Sequence, residues 1–181
     1  FSEAEGTYIK EEYEMEEAVI TGIASDTSEV KVTVRGLPDA PAVAAKMFSA
    51  LAANNVNLDM IIQNVAEGGV TDISFTTPGA DLGRAQETLA RVVPEIGGRE
   101  FIVDEDIAKV SLVGTGMKSS PGVASRAFQT LGDNNINIVA ISTSPIRLSV
   151  IVDAAQAAQA VQCLHTAFGL DSDDLFVETQ L

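Results

Sequence analysis

The sequence predicts an α+β protein of two tandem units, each running strand-helix-strand-strand-helix-strand, with an antiparallel sheet and both helices on one face. Three observations predict it. One stretch occurs twice: Lys31 to Gln63 aligns with Lys109 to Thr143, setting Pro41 on Pro121, Ala44 on Ala124, Phe48 on Phe128, Leu51 on Leu131, Asn55 on Asn135 and Asn57 on Asn137, all at an offset of 80 residues. Runs of apolar residues at helical spacing alternate with short β-branched runs. The chain is 46% hydrophobic but only 5% aromatic, with no Trp, so its core is aliphatic and suited to helices lying on a sheet. Each unit is roughly 70–80 residues, near the lower limit for a self-sufficient core, and the pair is expected to share an interface.

The first 17 residues hold seven Glu and one Lys without a sustained apolar period, which reads as an irregular lead-in over 1–16. Phe1 in place of Met is expected of a chain cut or processed from a longer one; Met15 is the alternative internal start. Ala18 to Ala24 and Val30 to Val34 read as strands. In the first unit, over 17–105, Pro41 marks a helix start, and Ala44, Met47, Phe48 and Leu51 share a face. Asn54 and Asn55 end that helix, because Asn tolerates the left-handed turn that closes one. Strands follow at Leu58 to Gln63 and Thr71 to Thr76. Asp81 is expected to cap a helix carrying Leu82, Ala85, Leu89 and Val92, and Glu100 to Val103 returns as strand.

The second unit, over 106–181, repeats the order. Ser120 is the expected N-cap and Pro121 the first helical residue, with Ala124, Ala127, Phe128 and Leu131 facing inward and Asn134-Asn135 closing. Strands Ile138 to Ser142 and Arg147 to Val152 flank a Ser144-Pro145 turn. Asp153 caps a helix through Ala157, Val161, Leu164 and Phe168, and Leu175 to Thr179 is the candidate closing strand. Ala18 to Ala24 is left over, and it is expected to cross between the units.

With 26 acidic and 11 basic residues the net charge is −15, which repels phosphate backbones and anionic headgroups; nucleic acid and membrane are excluded as partners. No apolar run reaches a membrane span, no secretory pattern is seen, and the single Cys163 suits a reducing compartment, so a cytoplasmic location is expected. Cys163 reads as a small, buried side chain. His165, the only histidine, reads as a partly exposed helix residue, and with it alone no two-histidine metal site can form; no metal is expected. The loops GLPDAP and GTGMKSSPG lack the spacing of a nucleotide cradle. Asp104-Glu105-Asp106 and Asp171-Asp173-Asp174 read as solvated turns. No catalytic constellation emerges.

What remains is a binding geometry. The loops at Asp39 to Ala45 and Ser119 to Ser125 deliver backbone N–H groups at helix N-termini, where a carboxylate is favoured. Asn57 and Asn137 enter the next strands at the far ends of those helices, and Asp59 and Gln63 follow in the first unit. An α-amino acid needs donors for its carboxylate and an acceptor for its ammonium, and this arrangement supplies both. The plainer reading is that Asp39 and Ser120 only cap helices and the Asn residues only end them.

The stretches ITGIASD (Ile20 to Asp26), KVTVRG (Lys31 to Gly36), NLDMIIQNV (Asn57 to Val65), TDISF (Thr71 to Phe75), KVSLVGTGMKSSPG (Lys109 to Gly122) and NINIVAISTS (Asn135 to Ser144) resemble the ACT family of amino-acid-sensing domains. The resemblance is to the tandem ACT region of aspartokinase, its regulatory or beta subunit, and covers about Glu16 to Gly169. It implies two ferredoxin-like βαββαβ domains without a kinase domain or activity of their own. It further implies a homodimer that binds threonine and, in many members, lysine as allosteric ligands, for feedback inhibition of an aspartokinase catalytic subunit that phosphorylates aspartate. No cofactor is implied. Carried over by position, a first cleft uses Asp39, Ala42, Val43, Ala44, Ala45, Asp59 and Gln63 of one chain facing Asn137 and Ile138 of a partner. A second uses Ser120, Pro121, Gly122, Val123 and Ala124 with Asn57, Ser142, Thr143 and Ser144. Two departures stand out: Ala42 replaces a usual Gly, and Pro145 replaces a Glu common after the Thr-Ser, which weakens the expectation for lysine more than for threonine. The alternatives are a small acyl-phosphate hydrolase, for which Arg35 is the nearest catalytic candidate, and a dimerisation module with no ligand.

Overall fold

The computed structural model describes residues 19–64, 66–115 and 122–171. The lead-in, Ser120 and Pro121, and the candidate strand Leu175 to Thr179 lie outside the described residues.

The first strand, β1 (Val19–Asp26), runs antiparallel to β6 (Ile107–Thr115), ninety residues along the chain. Between them lies the first unit: β2 (Glu29–Pro38), α1 (Val43–Ala53), β3 (Ile61–Gln63), β4 (Val70–Pro78), α2 (Leu82–Glu95) and β5 (Glu100–Asp104). Its antiparallel sheet has the order β3-β4-β2-β5. After β6 come α3 (Gly122–Asp133), β7 (Ala140–Ser144), β8 (Arg147–Asp153) and α4 (Ala157–Ala167). The second sheet has the order β1-β6-β8-β7, so β1 stands where β5 stands in the first. The edge of β6 on which a closing strand would lie is thus taken by β1.

Strand alternation divides each sheet into two faces. Val32, Val34, Ile73 and Phe75 bury with Met47, Leu51, Ala85 and Leu89 under α1 and α2. Phe48 meets Phe75 edge-on, ring centroids 6.1 Å apart. The second core repeats this with Ala108, Val110, Leu112, Val150, Ala127, Leu131, Ala160 and Leu164. The opposite faces carry Lys31, Thr33 and Ser74 in one sheet and Lys109, Ser111 and Ser149 in the other. Thr33 and Ser74 hydroxyls are 2.9 Å apart, and Ser111 and Ser149 hydroxyls 2.8 Å. A third small core of Met60, Ile107 and Ile151, backed by Ile62 and Ala140, joins the two units.

Helix ends follow the sequence closely at one terminus and less so at the other. Asn55 and Asn135 adopt φ of 54° and 56°. In each case the following amide, that of Val56 or Ile136, reaches back to the carbonyl of Leu51 or Leu131 (3.1 and 2.9 Å), which closes both helices in the same left-handed motif. The starts differ from expectation. α1 begins at Val43, two residues after Pro41, because Ala42 takes a left-handed φ of 70°. Asp81 makes no capping bond; a 3-10 turn at Gly79–Asp81 precedes α2, and the Asp81 carboxylate accepts from the Asn57 amide (2.9 Å) and pairs with Arg84. Asp153 caps a 3-10 turn at Ala154–Gln156, accepting from the Ala155 amide at 2.8 Å, and α4 itself begins after Gln156 without a side-chain cap. β3 is three residues long rather than six: Asp59 and Met60 both bond to the backbone of Thr76 (3.1 and 3.0 Å), and the regular register with β4 begins at Ile61.

Candidate functional site

The loop into α1 is built by Ala42. Its left-handed backbone is one that glycine adopts freely and that costs an L-residue roughly 1–2 kcal/mol; it turns the chain so that the next amides point out of the helix. The Val43 amide bonds to Ala40 and the Lys46 amide to Ala42, while those of Ala44 and Ala45 have no partner among the described residues. Asp39 leads in, tied by its amide to Gly69 (3.0 Å) with its side chain exposed. Val43 and Ala44 pack partly against the first core, so the helix start is rigid while its polar groups stay open. In the second unit Gly122 opens α3 with free space where a side chain would stand, and Val123 and Ala124 pack against the second core.

The remaining assigned residues divide into those that are free and those already engaged. Gln63 is exposed at the end of β3, and Asn137 and Thr143 are exposed in or before β7. Asn57 is engaged: its side chain donates to Asp81 (3.2 Å) and its carbonyl accepts from Thr77 (2.7 Å). Ser144 turns onto its own hairpin, and Ser142 lies opposite Ser149. Asp59 is also engaged, and this pairing was not foreseen. Its carboxylate lies 2.6 Å from the Lys109 ammonium and 3.6 Å from Arg147 of the second unit.

Lys109 is the hub of that junction. It is 9% exposed and holds Glu29, Asp59 and, at 3.8 Å, Asp26. Hydrogen bonding to Lys109 keeps the Asp59 carboxyl below the usual carboxylate range; Asp26 is lowered first by its bonds from Ser28 and further by Lys109. Burial works against the Lys109 charge, but the bonds to Asp59 and Glu29 outweigh it and raise the ammonium above the usual lysine value. The second oxygen of Glu29 is buried without a hydrogen-bond partner among the described residues. A lysine recurring in both first strands was the only sequence signal for this cluster; its partners Asp59 and Glu29 lie 50 and 80 residues away.

Among the described residues, grooves open on the surface. One, of about 340 Å³, lies between the units and is lined by Lys31, Ile62, Asn64 and Ser74 facing Ile138 to Ile141. A second, of about 420 Å³, runs along the β3-β4 hairpin past Asn64, Glu67 and Asp72. Of the assigned residues, Ile138 lines the first and none lines the second. Arg35 pairs with Glu100 at 3.7 Å on the helix-free face of its sheet, opposite the helix starts, a poor position for the hydrolase chemistry. Cys163 is half-buried with its thiol 3.3 Å from the Ala160 carbonyl, and burial pushes that thiol up. His165 sits on the exposed side of α4, 2.8 Å from Asp171. No helix among the described residues is long and apolar enough to cross a membrane.

Against known proteins, a family model described as ACT domain matches residues 22–92 and 110–168. An aspartate kinase of Stutzerimonas stutzeri is 48% identical over 174 residues, covering 95% of this chain, and an aspartokinase of Corynebacterium glutamicum is 45% identical over 179 residues, covering 96%. The chain spans 42% of the length of each. The ligand-free regulatory subunit of aspartate kinase from Thermus thermophilus superposes with a TM-score of 0.79 at 41% identity, over 83% of this chain and 99% of that one. A structure of aspartokinase alpha and beta subunits gives 0.78 at 43%, with the same coverage.

Proposed function

The chain belongs to the ACT-domain family and corresponds to the regulatory region of aspartokinases, and from that premise we propose that it senses threonine for such an enzyme. The observation that carries this reading is the open start of α1, where the Ala44 and Ala45 amides are unpartnered and Asp39 stands free on the loop leading to them. Two amides at a helix N-terminus suit an α-carboxylate, and a carboxylate alongside suits an α-ammonium. The exposed side chains of Asn137 and Gln63 add an amide at each of the two strand edges.

The complete cleft needs a second chain. β3 and β7 are the edge strands of the two sheets, and Ile61 is 53% exposed on β3, so both edges offer unpaired backbone, the feature that pairs strands between molecules. A homodimer joining these edges sets Asp39 and Gln63 of one chain against Asn137 and Ile138 of its partner. Threonine binding across that interface favours one dimer arrangement and passes to an aspartate-phosphorylating catalytic partner as a coupling of ~1–3 kcal/mol. Lysine is the weaker effector, since the turn after Ser144 carries Pro145 where a carboxylate would hold a second ammonium.

Thermal melts with threonine and with lysine test this. Threonine at about 100 times its Kd raises stability by ~2.7 kcal/mol, lysine raises it less, and sedimentation shows threonine favouring the dimer. Equal shifts, or none, would sink the reading and leave a dimerisation module without a ligand.

A further inference from the structure

We infer that the groove between the units at Lys31 is a binding site for a small aliphatic carboxylate, which would pair with Lys31 as Asp59 pairs with Lys109. The two lysines are register twins. Lys31 lies opposite Thr76 and Asp104, and Lys109 opposite Ile151 and Asp26. The residues that approach them are twins as well: the Asp59 amide bonds to the Thr76 carbonyl at 3.1 Å, and the Val139 amide to the Ile151 carbonyl at 2.8 Å. The approximate two-fold relation between the units thus brings Asp59 to Lys109 and Val139 to Lys31, and Val139 and Lys31 do line one groove.

The chemistry is unequal at the two ends. Lys109 receives carboxylates from Asp26, Glu29 and Asp59. Among the described residues Lys31 receives only Asp104, at 3.2 Å, because Ile107 and Val139 occupy the positions twin to Glu29 and Asp59. An ammonium has three donors, so Lys31 has capacity to spare, and a groove of about 340 Å³ opens beside it. Ser74 and Asn64 are polar neighbours, while Ile62, Val139 and Ile141 make an apolar wall. That combination takes a monocarboxylate on a short branched carbon chain: the charge meets Lys31 in a charge-assisted hydrogen bond and the chain covers the wall. Asp59 against Lys109 shows, within the same molecule, that the geometry accommodates a carboxylate.

The test is calorimetry of the full chain with isovalerate and its uncharged isostere isovaleramide, in the absence of threonine, so that the result does not depend on the threonine reading. Isovalerate binds saturably, and the amide about tenfold more weakly. Lys31→Met weakens isovalerate by at least about tenfold, and Val139→Asp abolishes its binding by supplying the carboxylate from the chain itself, while melting no lower than the parent. Unchanged isovalerate binding in Lys31→Met, equal binding of acid and amide, or no saturable binding by the parent chain would each overturn the proposal.

Discussion

Lys31 and Lys109 occupy the same step of the same strand in two copies of one unit, and their side chains are 18% and 11% exposed, yet one has a single carboxylate beside it and the other is the centre of a buried ion cluster. Among the described residues Lys31 keeps a single partner, Asp104, whose side chain is 41% exposed. Lys109 is shared among three carboxylates, two of them from the first unit, and it ties that unit to the second. The difference rests on two positions: Glu29 against Ile107, and Asp59 against Val139. Duplicating a unit gives equal halves, and changing two side chains at their junction makes the halves unequal without disturbing either core.

The magnitudes say what this junction does. A buried ion cluster is a weak source of net stability because desolvation offsets attraction, and here Glu29 keeps one buried oxygen unpartnered among the described residues. Losing one member is another matter, since it leaves uncompensated charge in the interior. The cluster therefore specifies how the two units sit together more than it stabilises them. A fixed relation between the units matters to the proposed function because each dimer cleft draws on one unit from each chain.

The largest expected effect separates the two lysines directly. Lys109→Met costs about 3–5 kcal/mol by stranding Glu29 and Asp59, whereas Lys31→Met costs at most about 1 kcal/mol, both read from denaturant unfolding. Adding Glu29→Ile to Lys109→Met recovers a good part of that loss, because the most buried stranded charge is gone; equal costs for the two lysines would dissolve the contrast. Next comes pH. The Asp59 and Asp26 carboxyls are lowered from the ordinary value of 3.8, so their contribution is present above that value and is lost as pH falls through their folded values. Lys109 is raised from 10.5, so its contribution is complete below that value and lost as pH climbs past its folded one. Melting temperature should accordingly hold on the carboxylate-ionised side and fall in acid, and Asp59→Val, which installs the twin's residue, should flatten the acid limb while lowering stability at neutral pH by about 1 kcal/mol. An unchanged acid limb would show that other carboxylates govern it.

The smallest effects lie at the helix starts. Ala42→Gly relieves a left-handed alanine, a strain worth roughly 1–2 kcal/mol, but the freed unfolded chain gives back about 0.4–1 kcal/mol, so the net gain is about 0–1.6 kcal/mol. Its twin change, Gly122→Ala, meets open space in the first turn of a helix and gains up to about 1 kcal/mol from propensity. Melts of the two single variants check the pair; a loss at Ala42→Gly would mean that the turn gains more from the restricted chain than the strain costs.

Legibility followed the range of the interaction. The helix ends at Asn55 and Asn135 were readable because left-handed tolerance belongs to the residue itself. The inward faces of α1 to α4 were readable because helical spacing is local. The entry to α1 was placed two residues early, since the strain at Ala42 is accepted only because Val43 and Ala44 pack below it. Asp81 was read as a local cap, but its buried carboxylate serves Asn57, 24 residues away. Asp59 carried a ligand assignment by position, and nothing near it in the chain announces Lys109.

The sequence by itself determined the duplication, the order of strands and helices from β2 to β5 and from β6 to α4, and the residues facing each core, all of which rest on contacts within a turn or a strand pairing. Only the tertiary structure decided that β1 completes the second sheet beside β6, that Lys109 gathers Glu29 and Asp59 while Lys31 borders an open groove, and which Asn and Asp side chains are engaged within the fold. Those outcomes depend on which surfaces of two similar units meet, and a charge in one strand carries no mark of the partner that folding will bring to it.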